Sequence, residues 1–238
     1  MADNGRVTEP LFVIPLWADL IAVALGGVQG ALFASGFRGQ RRLDFLGVAI
    51  IGIVMGMGGG LIRDLLLGLS PTTLHNNWYL VTATAAALVG MLLAGLFQRL
   101  NGVIVGLDAL VIGLFGAFGT SKALAVGLPL VPAIFVGVCS AVGGGILRDV
   151  FMGLPVAIMH VGSLYAVAAG AGCAVLGVLS LFGVNITVAA VAGISVTTIL
   201  RILAVVFDVS LPEQRMLYRR KVAVETAAIP IVRPSADR

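Results

Sequence analysis

Seven blocks of apolar residues alternate along this chain with short polar connections. The blocks run over residues 16–35, 45–69, 78–97, 103–119, 130–154, 163–182 and 186–207. Each approaches or exceeds the roughly 20 residues a helix needs to cross the hydrocarbon core of a bilayer. Only helices and closed barrels satisfy every backbone polar group in lipid. Transmembrane strands would be segments of about ten residues with alternating polarity, whereas these runs are longer and continuous. The pattern therefore predicts an all-α membrane protein of seven transmembrane helices. The connections between the first five blocks, 36–44, 70–77, 98–102 and 120–129, are too short to hold a separate domain.

Composition sharpens this picture. Of 238 residues, 59% are hydrophobic and 11% charged, against about half and a quarter in a soluble domain. The formal charge of +4 does not point to nucleic acid, because the bases cluster at the ends of the blocks. Arg38, Arg41, Arg42, Arg99, Arg215, Arg219, Arg220 and Lys221 all fall on one side if the spans alternate. That side is cytoplasmic by the positive-inside rule, which puts the N-terminus outside and the C-terminus inside. Lys122 is the exception. The first block follows Asp3 and Glu9 and carries Asp19, so it reads as a retained span and not as a cleaved leader. A chain rich in Ala, Gly and Arg, with Lys122 and Lys221 as its lysines, suits a bacterial inner membrane.

A duplication runs through the blocks. Gly58-Gly59-Gly60-Leu61-Ile62-Arg63-Asp64 in the second is matched by Gly143-Gly144-Gly145-Ile146-Leu147-Arg148-Asp149 in the fifth, at an offset of 148 − 63 = 85. The register persists at Gly68 and Gly153, at Leu69 and Leu154, and at His75 and His160. Asp19 and Asp108 in the first and fourth blocks follow at 108 − 19 = 89. Each copy holds three spans, an odd number, so the second enters the membrane from the opposite side. Such inverted repeats, related by a pseudo-twofold axis in the membrane plane, are associated with transport proteins. The predicted organisation is an N-terminal arm (1–15), a first three-helix repeat (16–97), a second (98–182), a seventh transmembrane helix (183–208) and a basic tail (209–238).

The repeated motif carries the candidate chemistry. Three glycines in mid-span cost a helix about 1 kcal/mol each relative to Ala. Either the second and fifth helices break there and expose backbone groups to a polar cavity, or the glycines let two backbones approach closely. The charged pair one turn later favours a break. An Arg at mid-membrane costs about 2.5–3.5 kcal/mol on insertion scales, so Arg63 and Arg148 need interior partners. Adjacent residues on a helix point in different directions, which predicts crossed pairs, Arg63 with Asp149 and Arg148 with Asp64. These four charges either only latch the second span to the fifth, or also line or gate a permeation path or bind an anionic headgroup or ligand. Asp19 and Asp108 either sit near the water interface or face a cavity that attracts cations.

The remaining polar residues suggest quieter roles. His75 and His160 lie near loops with no companion ligands and read as helix-end groups. Arg201 snorkels or pairs with Asp208. Trp17, Trp78 and Tyr79 stand at span starts as interfacial anchors. Cys139 and Cys173 sit inside apolar blocks and read as small core residues. No nucleophile elbow, zinc-protease helix, phosphate loop or dinucleotide fingerprint is present, so the chain is not expected to be an enzyme or to need a cofactor or metal.

Two copies of Gly-Gly-Gly-x-x-Arg-Asp, each in the second helix of a three-span unit and followed by a seventh helix, resemble the prokaryotic branch of the trimeric intracellular cation (TRIC) channel family. The resemblance covers roughly 16–207. It implies a homotrimer with a pore in each subunit, and permeation by monovalent cations, chiefly K⁺ with Na⁺ also passing. It implies that kinked second and fifth helices line that pore around Gly58, Gly59, Gly60 and Arg63, and around Gly143, Gly144, Gly145 and Arg148. Animal members carry a lysine-containing motif and bind phosphoinositide, and that lysine pattern is absent here. Membrane lipids are in any case partners of such a protein. The competing readings are a secondary transporter of a small solute such as an amino acid, built on the same repeat, and a scaffold whose charges only fasten helices.

Overall fold

The computed structural model describes residues 14–37, 43–97, 101–159 and 164–209, and every regular element among them is helical. The helices are α1 (Leu16–Gly36), α2 (Phe45–Leu66), a single turn α3 (Thr72–His75), α4 (Asn77–Phe97), α5 (Asn101–Ala125), α6 (Leu130–Phe151), α7 (Tyr165–Leu181) and α8 (Ile186–Val206), with a 3₁₀ turn at Ala157–Met159. Six are long and apolar enough to cross a membrane, and α7 is shorter, at 17 residues. The protein is thus a multi-pass membrane protein with six clear spans plus this shorter helix, where the sequence pattern predicted seven equivalent ones. The fourth span is longer than predicted. α5 continues through Ala125, which puts Lys122 on the last turn of a helix and not in a connection.

Local chemistry explains where the helices start and stop. Asp44 caps α2 by accepting from the Gly47 amide at 2.7 Å, and Asn185 caps α8 by accepting from the Thr187 amide at 2.9 Å. Pro15 and Pro129 stand just before α1 and α6. α2 and α6 end alike. Gly68 and Gly153 take φ values of +65° and +64°, a region glycine enters without penalty. The following amides, of Leu69 and Leu154, reach back to the Asp64 and Asp149 carbonyls at 2.9 and 2.8 Å. Both helices therefore close with a Schellman-type turn immediately after the Arg-Asp pair.

Within 16–97, α1 packs against both α2 and α4; within 98–182, α5 packs against α6 and α7. The two groups meet chiefly along α2 and α6, with α1 also touching α5, and α8 lies against α5 and α7. Small residues set the close approaches. A methyl group on Gly30 of α1 would lie 3.0 Å from the Gly52 Cα of α2, and one on Gly119 of α5 would lie 2.8 Å from the Gly137 Cα of α6. In lipid there is no hydrophobic drive between helices, so contact of this kind replaces it.

Candidate functional site

The glycine triplets lie where α2 and α6 cross. A methyl on Gly59 would lie 2.5 Å from the Ser140 carbonyl oxygen, and one on Gly144 would lie 2.6 Å from that of Met55. A methyl on Gly58 would meet Leu147 Cδ1 at 2.8 Å, and one on Gly143 would meet Ile62 Cδ1 at 2.5 Å. Each contact has a counterpart in which both residues are shifted by 85. The Ser140 hydroxyl also donates to the Gly59 carbonyl at 3.1 Å. Gly60 and Gly145 point elsewhere, the first toward Thr73 and Arg63, the second toward the Tyr165 hydroxyl. The helix runs without interruption through both triplets, which corrects the expected break. Gly59 and Gly144 face the backbone of the opposite helix, Gly58 and Gly143 face its Leu147 and Ile62 side chains, and this packing requires intact helical surfaces.

Two clusters of charge flank this crossing. In the first, Arg63 donates through Nε to Asp64 Oδ1 at 2.7 Å, and its Nη1 lies 3.6 Å from Asp19 Oδ1. Lys122 Nζ reaches the same Asp64 oxygen at 2.8 Å. The other Asp64 oxygen accepts from the Thr72 amide at 2.8 Å and the Thr72 hydroxyl at 2.5 Å. Asp19 accepts from the Tyr79 hydroxyl at 2.7 Å. Arg63 and Asp64 are 1% and 0% exposed, so the centre of this network is desolvated, while Lys122 and Thr72 sit at its wetter edge.

In the second cluster, Arg148 donates through Nε and Nη2 to Asp149 Oδ1 at 2.9 and 2.7 Å, and Asp149 Oδ2 accepts from the Ala157 amide at 2.9 Å. The Arg148 guanidinium sits 3.9 Å above the Phe33 ring, a favourable placement for a cation. Asp108 is held by Gln29 Nε2 at 2.5 Å, and by Arg201 Nε and Nη2 at 3.2 and 3.1 Å. Arg201 stacks 4.8 Å from the Tyr165 ring. Tyr165 lies within electrostatic reach of Asp108, Arg148, Arg201 and Asp149, as Tyr79 does of Asp19, Arg63 and Asp64.

Several sequence expectations are corrected here. The crossed pairs Arg63–Asp149 and Arg148–Asp64 do not form; each arginine pairs with its own neighbour. The reason is directional. Contacts such as Gly59 with Ser140 and Met55 with Gly144 make α2 and α6 antiparallel, so their C-terminal ends diverge. At 1.5 Å per residue, Arg63 and Asp149 end up about 20 Å apart along the axis. The long arginine stem then swings back to the adjacent carboxylate. Arg201 pairs with Asp108, not Asp208. Tyr79 is no interfacial anchor: it is 3% exposed and bonded to Asp19. Trp17 and Trp78 do remain exposed. Asp19 and Asp108 are buried against partners. Gln29, Thr72, Lys122 and Arg201 complete the clusters. Of these, Lys122 had one sequence signal, its position on the wrong side of the charge rule.

His75 ends α3 and is exposed. His160 and the bases used for orientation at 38, 41, 42, 99 and 215–221 lie outside the described residues. Cys139 and Cys173 are free thiols, the second buried.

A family model described as "Glycine transporter" matches residues 16–95 and 105–181, breaking where the connection between α4 and α5 falls. The chain belongs to this family. The UPF0126 inner membrane protein YadS of Escherichia coli is 31% identical over 204 residues, which span 82% of this chain and 94% of that protein. Among solved structures, a TRIC cation channel superposes with a TM-score of 0.75 at 30% identity, over 85% of this chain and 98% of its own. The TRIC orthologue from Rhodobacter sphaeroides gives 0.74 at 32% identity, over 82% and 98%. The TRIC resemblance read from the doubled motif therefore extends to the fold of nearly the whole described chain.

Proposed function

We propose that this protein is a monovalent cation channel, permeable to K⁺ and also to Na⁺, assembled as a homotrimer with a conduction path in each subunit. The observation that carries the reading is the likeness, over 82–85% of the chain at 30–32% identity, to solved TRIC cation channels. Residues 16–97 and 98–182 act as two inverted three-helix units, with α8 appended. The path runs beside the α2–α6 crossing. It is lined or gated by Gly58, Gly59, Gly60, Arg63, Asp64 and Asp19 toward one end, and by Gly143, Gly144, Gly145, Arg148, Asp149 and Asp108 toward the other. The N-terminus faces outward from a bacterial inner membrane and the C-terminus faces the cytoplasm.

A closed path suits the geometry, since both clusters are neutral as a whole and tightly bonded. Cation entry requires a carboxylate to be released from its partners, and buried pairs do not separate without a driving force. A second reading, transport of a small zwitterion such as glycine, is favoured by the description of the family model. Purified protein in a planar bilayer across a KCl gradient tests the two. Discrete unitary steps reversing near the K⁺ equilibrium potential are expected. Silence from correctly folded trimers, together with saturable glycine uptake into liposomes, would replace the channel with the transporter.

A further inference from the structure

The two charged clusters have the same formal make-up but draw their last cation from different places. Asp19, Arg63 and Asp64 are completed by Lys122 of α5. Asp108, Arg148 and Asp149 are completed by Arg201 of α8, outside the duplicated units. The position in α1 that matches Lys122 at the same offset, 122 − 33 = 89, is Phe33. Phe33 provides a ring to Arg148, where Lys122 provides a charge to Asp64. The second cluster would therefore carry a net −1 without α8.

The partners of the two outlying carboxylates also differ. Asp19 lies within ion-pair distance of the motif arginine, Arg63. Among the described residues Asp108 pairs with Arg201 and makes no ion pair with Arg148. Buried polar atoms without a hydrogen bond occur at both carboxylates: Gln29 Oε1 and Arg201 Nη1 around Asp108, and Arg63 Nη1 beside Asp19.

We propose that Arg201 sets the charge at the α6 end of the path, by neutralising Asp108 and keeping that carboxylate away from Arg148. This rests on the channel reading above. Removing the Arg201 charge leaves a carboxylate that attracts cations into the path; removing the Asp108 charge leaves a guanidinium that repels them. Purified trimers in planar bilayers at low salt test it with Arg201→Gln, Asp108→Asn and the double variant. Arg201→Gln is expected to raise the unitary K⁺ conductance about twofold or more, and the gain should shrink near 1 M salt, where charges are screened within about 3 Å. Asp108→Asn should lower conductance, and the double variant should return close to wild type. Conductance changes of the same sign in both single variants, or a double variant no nearer wild type than either, would overturn the proposal.

Should Arg201→Gln fail to assemble, Asp108→Asn against the double variant makes the same comparison, since both keep the Gln29 contact site amide-compatible. Wild-type protein that passes no current would count against the channel reading alone. Arg201 would then be judged from thermal midpoints in detergent. Non-additive losses across the Asp108/Arg201 cycle support the clamp, and additive losses overturn it.

Discussion

Asp64 is bonded by three separate stretches of chain: Arg63 beside it, Thr72 at the start of α3 and Lys122 at the end of α5. Its replacement by Asn would weaken the pairing of the buried Arg63 and free the partly exposed Lys122, toward the loss of about 3–5 kcal/mol seen where a desolvated pair is broken from one side. Asp149 has Arg148 and one backbone amide. Asp64→Asn is therefore expected to lower the thermal midpoint in detergent more than Asp149→Asn, and equal losses would show that Lys122 and Thr72 add nothing. Lys122 is the most exposed member of its ion pair, at 22%. Lys122→Met leaves the first cluster net negative, and single-channel recording is expected to show higher K⁺ conductance with the fold intact. At this scale the sequence revealed the principal residues but not their partners. The rule that adjacent side chains diverge holds for short groups and failed for a long arginine. The antiparallel course implied by an inverted repeat already argued against the crossed pairs, because it sends the two motif ends in opposite directions.

At the scale of the helix, the triplets separate two kinds of glycine. Gly59 and Gly144 abut a carbonyl of the opposing helix, whereas a methyl on Gly60 would meet Thr73 Cγ2 at 3.6 Å and Arg63 Nη2 at 3.8 Å, both ordinary contacts. Gly59→Ala and Gly144→Ala are expected to force α2 and α6 apart, at the 1–3 kcal/mol typical of overpacking. Gly60→Ala should unfold at nearly the wild-type temperature, and unfolding measured by fluorescence or light scattering separates the cases. A loss at Gly60 equal to that at Gly59 would argue for a conformational requirement at the triplet as a whole. The spans themselves were legible because apolar length is a strong signal. The unbroken helix was not, since glycine's low propensity in water overstates its cost where a neighbouring backbone fills the space.

At the scale of the whole molecule, the helix with no counterpart in the duplication supplies Arg201 to the second cluster. The sequence marked α8 as extra but gave no sign of this use, because Arg201 and Asp108 are 93 positions apart and share no motif. Arg201→Lys keeps the charge while losing the planar fork that bonds Asp108 and stacks on Tyr165. It is expected to preserve conductance while lowering the thermal midpoint, and a conductance that tracks Arg201→Gln instead would show that geometry and not charge is what matters.

The borrowed cations also impose an order on biogenesis. While the ribosome is still delivering the chain, α1, α2 and α4 hold Asp19, Arg63 and Asp64 with one negative charge in excess, until Lys122 emerges near the end of α5. The second excess persists until Arg201, close to the end of α8, leaves the exit tunnel. Neither half can settle electrostatically in the order in which its own helices are made. The nascent protein must hold buried carboxylates in waiting through most of its synthesis, and a chain stopped after α7 would present Asp108 to the quality-control machinery as an unmatched charge in the membrane.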